Sequence, residues 1–156
     1  CMRNLSVVIG IFLCSAVAFA AEEPAKDSRI VYTNWGKDDQ ELTLWTPATK
    51  SATPRPAILL VHGGGWMMGS RMQVRTYGET FAQSGYVTAS ISYRKMPDYA
   101  FPYCLHDVKQ AIRHLRATAE EYGIDPKRIA VLGESAGGHL AALAATTDPS
   151  DGFEGP

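Results

Sequence analysis

Ile129-Ala130-Val131-Leu132-Gly133-Glu134-Ser135-Ala136-Gly137-Gly138-His139-Leu140 is the stretch that decides how this chain folds. Its first four residues are continuously apolar and short, the pattern of a strand buried on both faces. Residues 135–146, rich in Ala and Leu, read as a helix. Between the two the backbone has to turn from strand to helix within a few residues. Such a turn lifts its middle side chain, Ser135, into the open in strained backbone geometry. Gly133 and Gly137, two positions before and after the serine, remove side chains that would collide there, and Gly138 gives the helix room to approach the sheet.

Upstream, Ala57-Ile58-Leu59-Leu60-Val61 and Tyr86-Val87-Thr88-Ala89-Ser90-Ile91-Ser92 repeat the buried-strand pattern. Helical stretches lie between, at roughly 74–83 and 104–122. In the second of these Leu105, Val108, Ile112 and Leu115 share one face, and Gly123 supplies the stop. Lys109, Arg113 and Arg116 fall on the opposite face, which reads as solvated rather than as a binding patch. Strands alternating with helices predict an α/β fold with a mostly parallel, layered sheet and flanking helices. Nearer the N-terminus, Ile30-Val31-Tyr32 and Leu42-Thr43-Leu44-Trp45 form an expected antiparallel hairpin around Gly36-Lys37-Asp38-Asp39. Residues 46–56 read as a surface connection and 21–28 as a polar, disordered lead-in. Asp125-Pro126 reads as a turn and helix-start signal.

The composition is that of an ordinary globular chain: 156 residues, 46% hydrophobic and 20% charged, with a formal net charge of −1. No stripe of Lys and Arg supports a nucleic-acid partner. Residues 1–20 differ in character. Met2-Arg3-Asn4 is a short basic start, 5–17 is almost wholly apolar, and Ala18-Phe19-Ala20 offers the small residues a signal peptidase requires. A cleaved signal peptide is the reading, and it implies a secreted or periplasmic protein. The alternative is an uncleaved anchor, but the run is short for a hydrocarbon core of about 30 Å. Cys14 follows Phe12-Leu13 rather than a small residue, which argues against lipidation. Removal of the signal leaves Cys104 with no disulfide partner in the chain. Beside Leu105 at a helix start, it reads as a buried, inert thiol.

A second motif, His62-Gly63-Gly64-Gly65-Trp66, directly follows the first buried strand. Attack by a serine on an ester leaves a negative oxygen that needs preorganised donors about 3 Å away. Consecutive glycines let backbone N–H groups turn inward without Cβ obstruction. Gly64, Gly65 and Ala136 are the expected oxyanion-hole donors, with Ser135 the nucleophile. A dinucleotide loop (G-x-G-x-x-G) or a phosphate loop ending in Lys-Ser/Thr does not match. Trp66 either walls a pocket or packs.

On these residues the chain resembles the α/β-hydrolase esterases related to hormone-sensitive lipase and the bacterial carbohydrate esterases. The resemblance covers about residues 42–143. It includes Tyr93-Arg94, Phe101-Pro102 before a helix with Asp107, and Tyr122-Gly123-Ile124-Asp125-Pro126. Residues 95–100 depart from it, since many relatives carry Ala-Pro-Glu there, so acyl or alcohol preference does not transfer. Tyr93, Arg94 and Asp107 are expected to brace loops, and Glu134 to point away from the attacking oxygen. The expected organisation is therefore a signal peptide (1–20), a lead-in (21–28) and, from the resemblance, a partial α/β-hydrolase domain (29–156). The resemblance also implies a triad in the order Ser, then Asp or Glu, then His.

After Ser135 and its helix only Asp148, Asp151 and Glu154 are acidic. The one later histidine, His139, lies a helical turn on and is expected behind the elbow rather than at the hydroxyl. His62 is expected to hold the glycine loop, and His106 and His114 lie on the long helix. The chain therefore reads as a fragment, inactive alone for want of a base and acid. The expected function is hydrolysis of carboxylic esters, with ester groups on carbohydrate as one substrate class. The alternatives are a peptidase of the same fold and a non-catalytic binding protein. No cofactor or metal is expected, and oligomeric state is not legible.

Overall fold

The computed structural model describes residues 24–35 and 40–156. The signal-peptide reading and the hairpin turn at 36–39 lie outside those residues.

Five strands form one sheet in the order β1-β2-β4-β3-β5. β1 (Pro24–Thr33) and β2 (Gln40–Pro47) pair antiparallel, and β2 runs antiparallel to β4 (Val87–Ile91). β4, β3 (Arg55–Val61) and β5 (Ile124–Gly133) are mutually parallel neighbours. The sheet is thus mixed, with β4, β3 and β5 as its parallel half. β1 begins at Pro24, paired with Pro47, so the polar stretch read as a disordered lead-in is in its second part a strand. Its side chains alternate too weakly to signal one; backbone pairing with β2 recruits it.

Helices cover both faces. Ile58 and Leu60 of β3 meet Val74 and Phe81 on the side of α1 (Arg75–Gln83). Leu59 and Val61 point the other way, into the larger cluster. That cluster also takes Leu105, Val108 and Leu115 of α2 (Tyr103–Ala117) and Leu140 of α4 (Ala136–Thr146). Two-sided burial is why β3 is apolar at every position from 57 to 61. Leu59, Leu60 and Val61 are each fully buried, which is worth about 1.5–3 kcal/mol per side chain.

The expected 104–122 helix is interrupted. Thr118 turns its hydroxyl back to the His114 carbonyl at 2.8 Å and separates α2 from α3 (Ala119–Tyr122). Gly123, at φ 65°, then ends the helix. Asp125-Pro126 starts no helix. It sits in a bulge of β5, where the register jumps from Arg55↔Ile124 to Ala57↔Ile129. There the Asp125 carboxylate accepts from the Lys127 N–H at 3.0 Å and from Arg128 Nε at 2.7 Å. The turn chemistry was read correctly, but the loop it makes lies inside a strand.

From β3 the chain steps to β4 on one side and then to β5 on the other. This reversal opens a crevice at the carboxyl ends of the central strands, the usual ligand position in such sheets.

Candidate active site

Only Glu134 and Ser135 separate β5 from α4. Ser135 has φ 52° and ψ −117°, a left-handed conformation that costs a non-glycine residue about 1–3 kcal/mol. Its side chain is exposed and makes no capping bond to α4. The Gly137 N–H donates to the Glu134 carbonyl at 2.8 Å and closes the turn. A Cβ built on Gly133 would lie 2.2 Å from the Gly137 carbonyl, and one on Gly137 2.1 Å from the Val61 oxygen. No side chain fits at either position, so the two glycines let α4 start this close to β3 and β5. Glu134 points its side chain to solvent.

The glycine loop emerges beside this elbow because Val61 and Gly133 are register partners. A Cβ on Gly63 would come within 3.1 Å of the Glu134 oxygen and 3.4 Å of the Ser135 Cβ; the two motifs are in contact. Gly64, Gly65 and Trp66 follow at φ 117°, 60° and 61°. The Gly64 carbonyl accepts from the N–H groups of Met67 at 3.1 Å and Met68 at 3.0 Å, folding the loop into a tight turn. Among the described residues, no backbone–backbone hydrogen bond takes the N–H of Gly64, Gly65 or Ala136. Turns with successive unpaired N–H groups form anion-binding concavities. Ala136, buried at the first turn of α4, adds the positive end of a helix dipole.

His62 is fully buried. Its Nδ1 donates to the Gly63 carbonyl at 2.6 Å, and its ring stacks on Tyr93 at 4.4 Å. The Tyr93 hydroxyl donates to the His62 carbonyl at 3.1 Å. Burial holds the His62 imidazole below its usual range, so it stays neutral beneath the loop. Arg94 makes an ion pair with Asp107 (2.6 Å) in which the side chains are 4% and 0% exposed. Burial pushes the Asp107 carboxyl up, opposed by the Arg94 side-chain and backbone donors. The Arg94 guanidinium also lies over the ring of Tyr103 at 4.9 Å. The pair ties the loop after β4 to the start of α2.

His139 is not behind the elbow. It is exposed and meets the Trp66 ring edge-on at 5.4 Å. With Trp66, Arg94, Met96, Tyr99, Phe101 and Cys104 it lines a largely apolar cavity of about 260 Å³. Trp66 therefore walls a pocket. Met96 and Tyr99 were missed as lining residues because residues 95–100 depart from the family pattern, and Phe101 because it was read only as part of the Phe101-Pro102 motif; the bulky apolar content after β4 was the available signal. Burial raises the Cys104 thiol above its ordinary range, which disfavours the reactive thiolate. A larger depression, about 560 Å³, lies at the opposite end of the sheet beside Arg55 and Gly123 and shares none of these residues.

Lys109 corrects a sequence expectation. It is 6% exposed rather than solvated and pairs with Glu154, which also takes Arg113. The counter-charge is 45 residues away in sequence, so no helical-face pattern could reveal it. Among the described residues no group of three or more His, Cys, Asp or Glu gathers as a metal site, and no helix is long and apolar enough to cross a membrane.

A protein-family model, BD-FAE, matches residues 42–156. Arylacetamide deacetylase of Oryctolagus cuniculus is 33% identical over 82% of this chain and 33% of its own length. Esterase LipC of Mycobacterium tuberculosis is 41% identical over 69% of this chain and 27% of its own. Among solved structures, the butyrate-bound thermophilic esterase Est2 of Thermogutta terrifontis superposes with a TM-score of 0.71 at 36% identity. That superposition covers 81% of this chain and 45% of Est2. The chain thus spans about a third of these curated relatives and about half of the solved one. On these matches the chain belongs to the BD-FAE family, among the α/β-hydrolase esterases.

Proposed function

We propose that the protein hydrolyses carboxylic esters through an acyl-serine intermediate on Ser135. The observation that carries this is the contact between the strained, exposed serine and the glycine loop. Ser135 Oγ attacks the ester carbonyl and loses its proton to a general base. The carbonyl oxygen becomes an oxyanion held by the N–H groups of Gly64, Gly65 and Ala136. Collapse expels the alcohol, which takes up the proton, and water then repeats the sequence to release the acid. Each oxyanion donor is worth about 10²–10³ in turnover.

On this reading no residue of the chain serves Ser135 as triad base or acid, so the chain alone is expected to be inactive. A cavity of about 260 Å³ beside the elbow suits a small acyl or alcohol group, in keeping with a relative solved with butyrate. Ester groups on carbohydrate and a secreted or periplasmic location are part of the same reading. The latter is motivated by the signal-like order of residues 1–20.

The test is fluorophosphonate labelling and p-nitrophenyl ester turnover by the full-length protein, each compared with Ser135→Ala. Labelling lost in the variant is expected; equal labelling of both, or none in a folded wild type, defeats the reading. Turnover of peptide but not ester substrates would redirect it to a peptidase.

A further inference from the structure

We propose that Lys95 is a positioning residue for the oxyanion loop, fastening its far arm so that Gly64 and Gly65 keep their N–H groups turned toward Ser135. This rests on the esterase reading above. Lys95 opens the stretch 95–100, where the chain departs from the family pattern. Its half-buried Nζ donates to the Gly69 carbonyl at 3.0 Å. The next residue reinforces it, the Met96 N–H donating to the Trp66 carbonyl at 2.9 Å. One dipeptide after β4 thus grips the glycine loop at two points, one within its turn and one just past it.

The Lys95 contact reaches the nucleophile through a short chain of packed groups. The Gly69 backbone is wedged in place: a Cβ there would lie 2.5 Å from His62 Nδ1, 2.7 Å from the Gly63 carbonyl oxygen and 2.8 Å from Gln73 Oε1. The Gly63 oxygen is the acceptor of the His62 Nδ1 proton, and Gly63 itself abuts the Ser135 Cβ. The Gly63 carbonyl oxygen and the Gln73 amide oxygen both pack against Gly69, whose own carbonyl takes the Lys95 cation. The Lys95 charge also disfavours protonation of His62. The loop needs such a fastening. Gly64, Gly65 and Gly69 all hold positive φ, glycine-rich backbone has little stiffness of its own, and catalytic donors must stay within about 0.5 Å of their working positions.

The experiment compares wild type, Lys95→Met, Lys95→Gln and Lys95→Arg in the full-length protein. For Lys95→Met, kcat for p-nitrophenyl acetate is expected to fall about tenfold with KM within about twofold. Affinity for a trifluoromethyl ketone, whose serine adduct carries the oxyanion, should fall by a similar factor. Amide hydrogen exchange across residues 63–69 should accelerate, and Lys95→Arg should recover most of kcat. If Lys95→Met does not fold, Lys95→Gln carries the same comparison. Unchanged kcat and loop exchange in a folded variant overturn the proposal, as does a rise in KM with kcat intact. A wild type without Ser135-dependent turnover overturns the esterase reading instead; a fully active wild type with unaffected Lys95 variants overturns the clamp alone.

Discussion

Replacing Gly137 by Ala would set a methyl carbon 2.1 Å from the Val61 oxygen and 2.6 Å from the His62 oxygen. Carbon–oxygen contacts relax only near ~3.3 Å, so α4 would have to part from β3 by about 1 Å. Both obstructing atoms are backbone, and Val61 is pinned between β4 and β5; no side chain can swing aside. Overpacking of this kind costs about 3 kcal/mol, the upper part of its usual range. The neighbouring Gly138 is the internal control. A Cβ there meets only the Gly133 oxygen at 3.1 Å and the Gly133 carbonyl carbon at 3.6 Å. Gly138→Ala also gains up to about 1 kcal/mol of helix propensity. Urea unfolding of the full-length protein should therefore place the two variants about 3 kcal/mol apart, a midpoint gap of roughly 1–2 M. A displacement of about 1 Å at the elbow should also slow fluorophosphonate labelling of Ser135 by about 10²-fold in Gly137→Ala. Equal midpoints for the two variants, or Gly137→Ala labelling at the wild-type rate, would refute the claim that this glycine sets the distance between helix and sheet.

Asp107→Ala should destabilise the fold by about 3–5 kcal/mol, because it strands the buried Arg94 guanidinium; a loss below about 1 kcal/mol in chemical denaturation would contradict the buried-pair argument. Stability should also fall between pH 7.5 and pH 6. Burial lowers the pKa of His62, His106 and His114 in the fold, so the unfolded chain binds more protons as pH drops through 6.5, and protonation favours unfolding. Above the unfolded value this stabilisation is fully present. A urea midpoint that rises from pH 7.5 to pH 6 would show the sign to be wrong.

β3 was legible because burial on two faces leaves a direct mark: residues 57–61 carry no polar interruption, and each faces one of two helical layers. Residues 129–132 of β5 were read as buried on both faces too, but β5 lies at the end of the sheet order and Leu132 is 43% exposed. The elbow was legible for a related reason, since Gly133 and Gly137 occupy positions where no other residue fits. Local chemistry misled where long-range contacts decided. Asp125 makes the turn its sequence suggests, yet flanking residues pair with β3 and absorb it as a bulge. Lys109 looked solvated on its own helix and is neutralised from Glu154. His139 was placed from helix direction alone, whereas the left-handed backbone at Trp66 brings the indole to it. The loop after β4 carried the weakest sequence signal and lines much of the cavity.

The pairing of Val61 with Gly133 makes the sheet itself a measuring gauge. Adjacent strands stand about 4.8 Å apart in any sheet, so the separation of the elbow from the base of the glycine loop is inherited from ladder spacing, and the loop's own fastenings only aim its amide hydrogens. Sliding β5 by one residue would carry the serine about 3.3 Å along the strand and turn residues 129–132 to the wrong face. Sequence drift around the cavity can therefore alter which molecules enter while this calibration stays fixed.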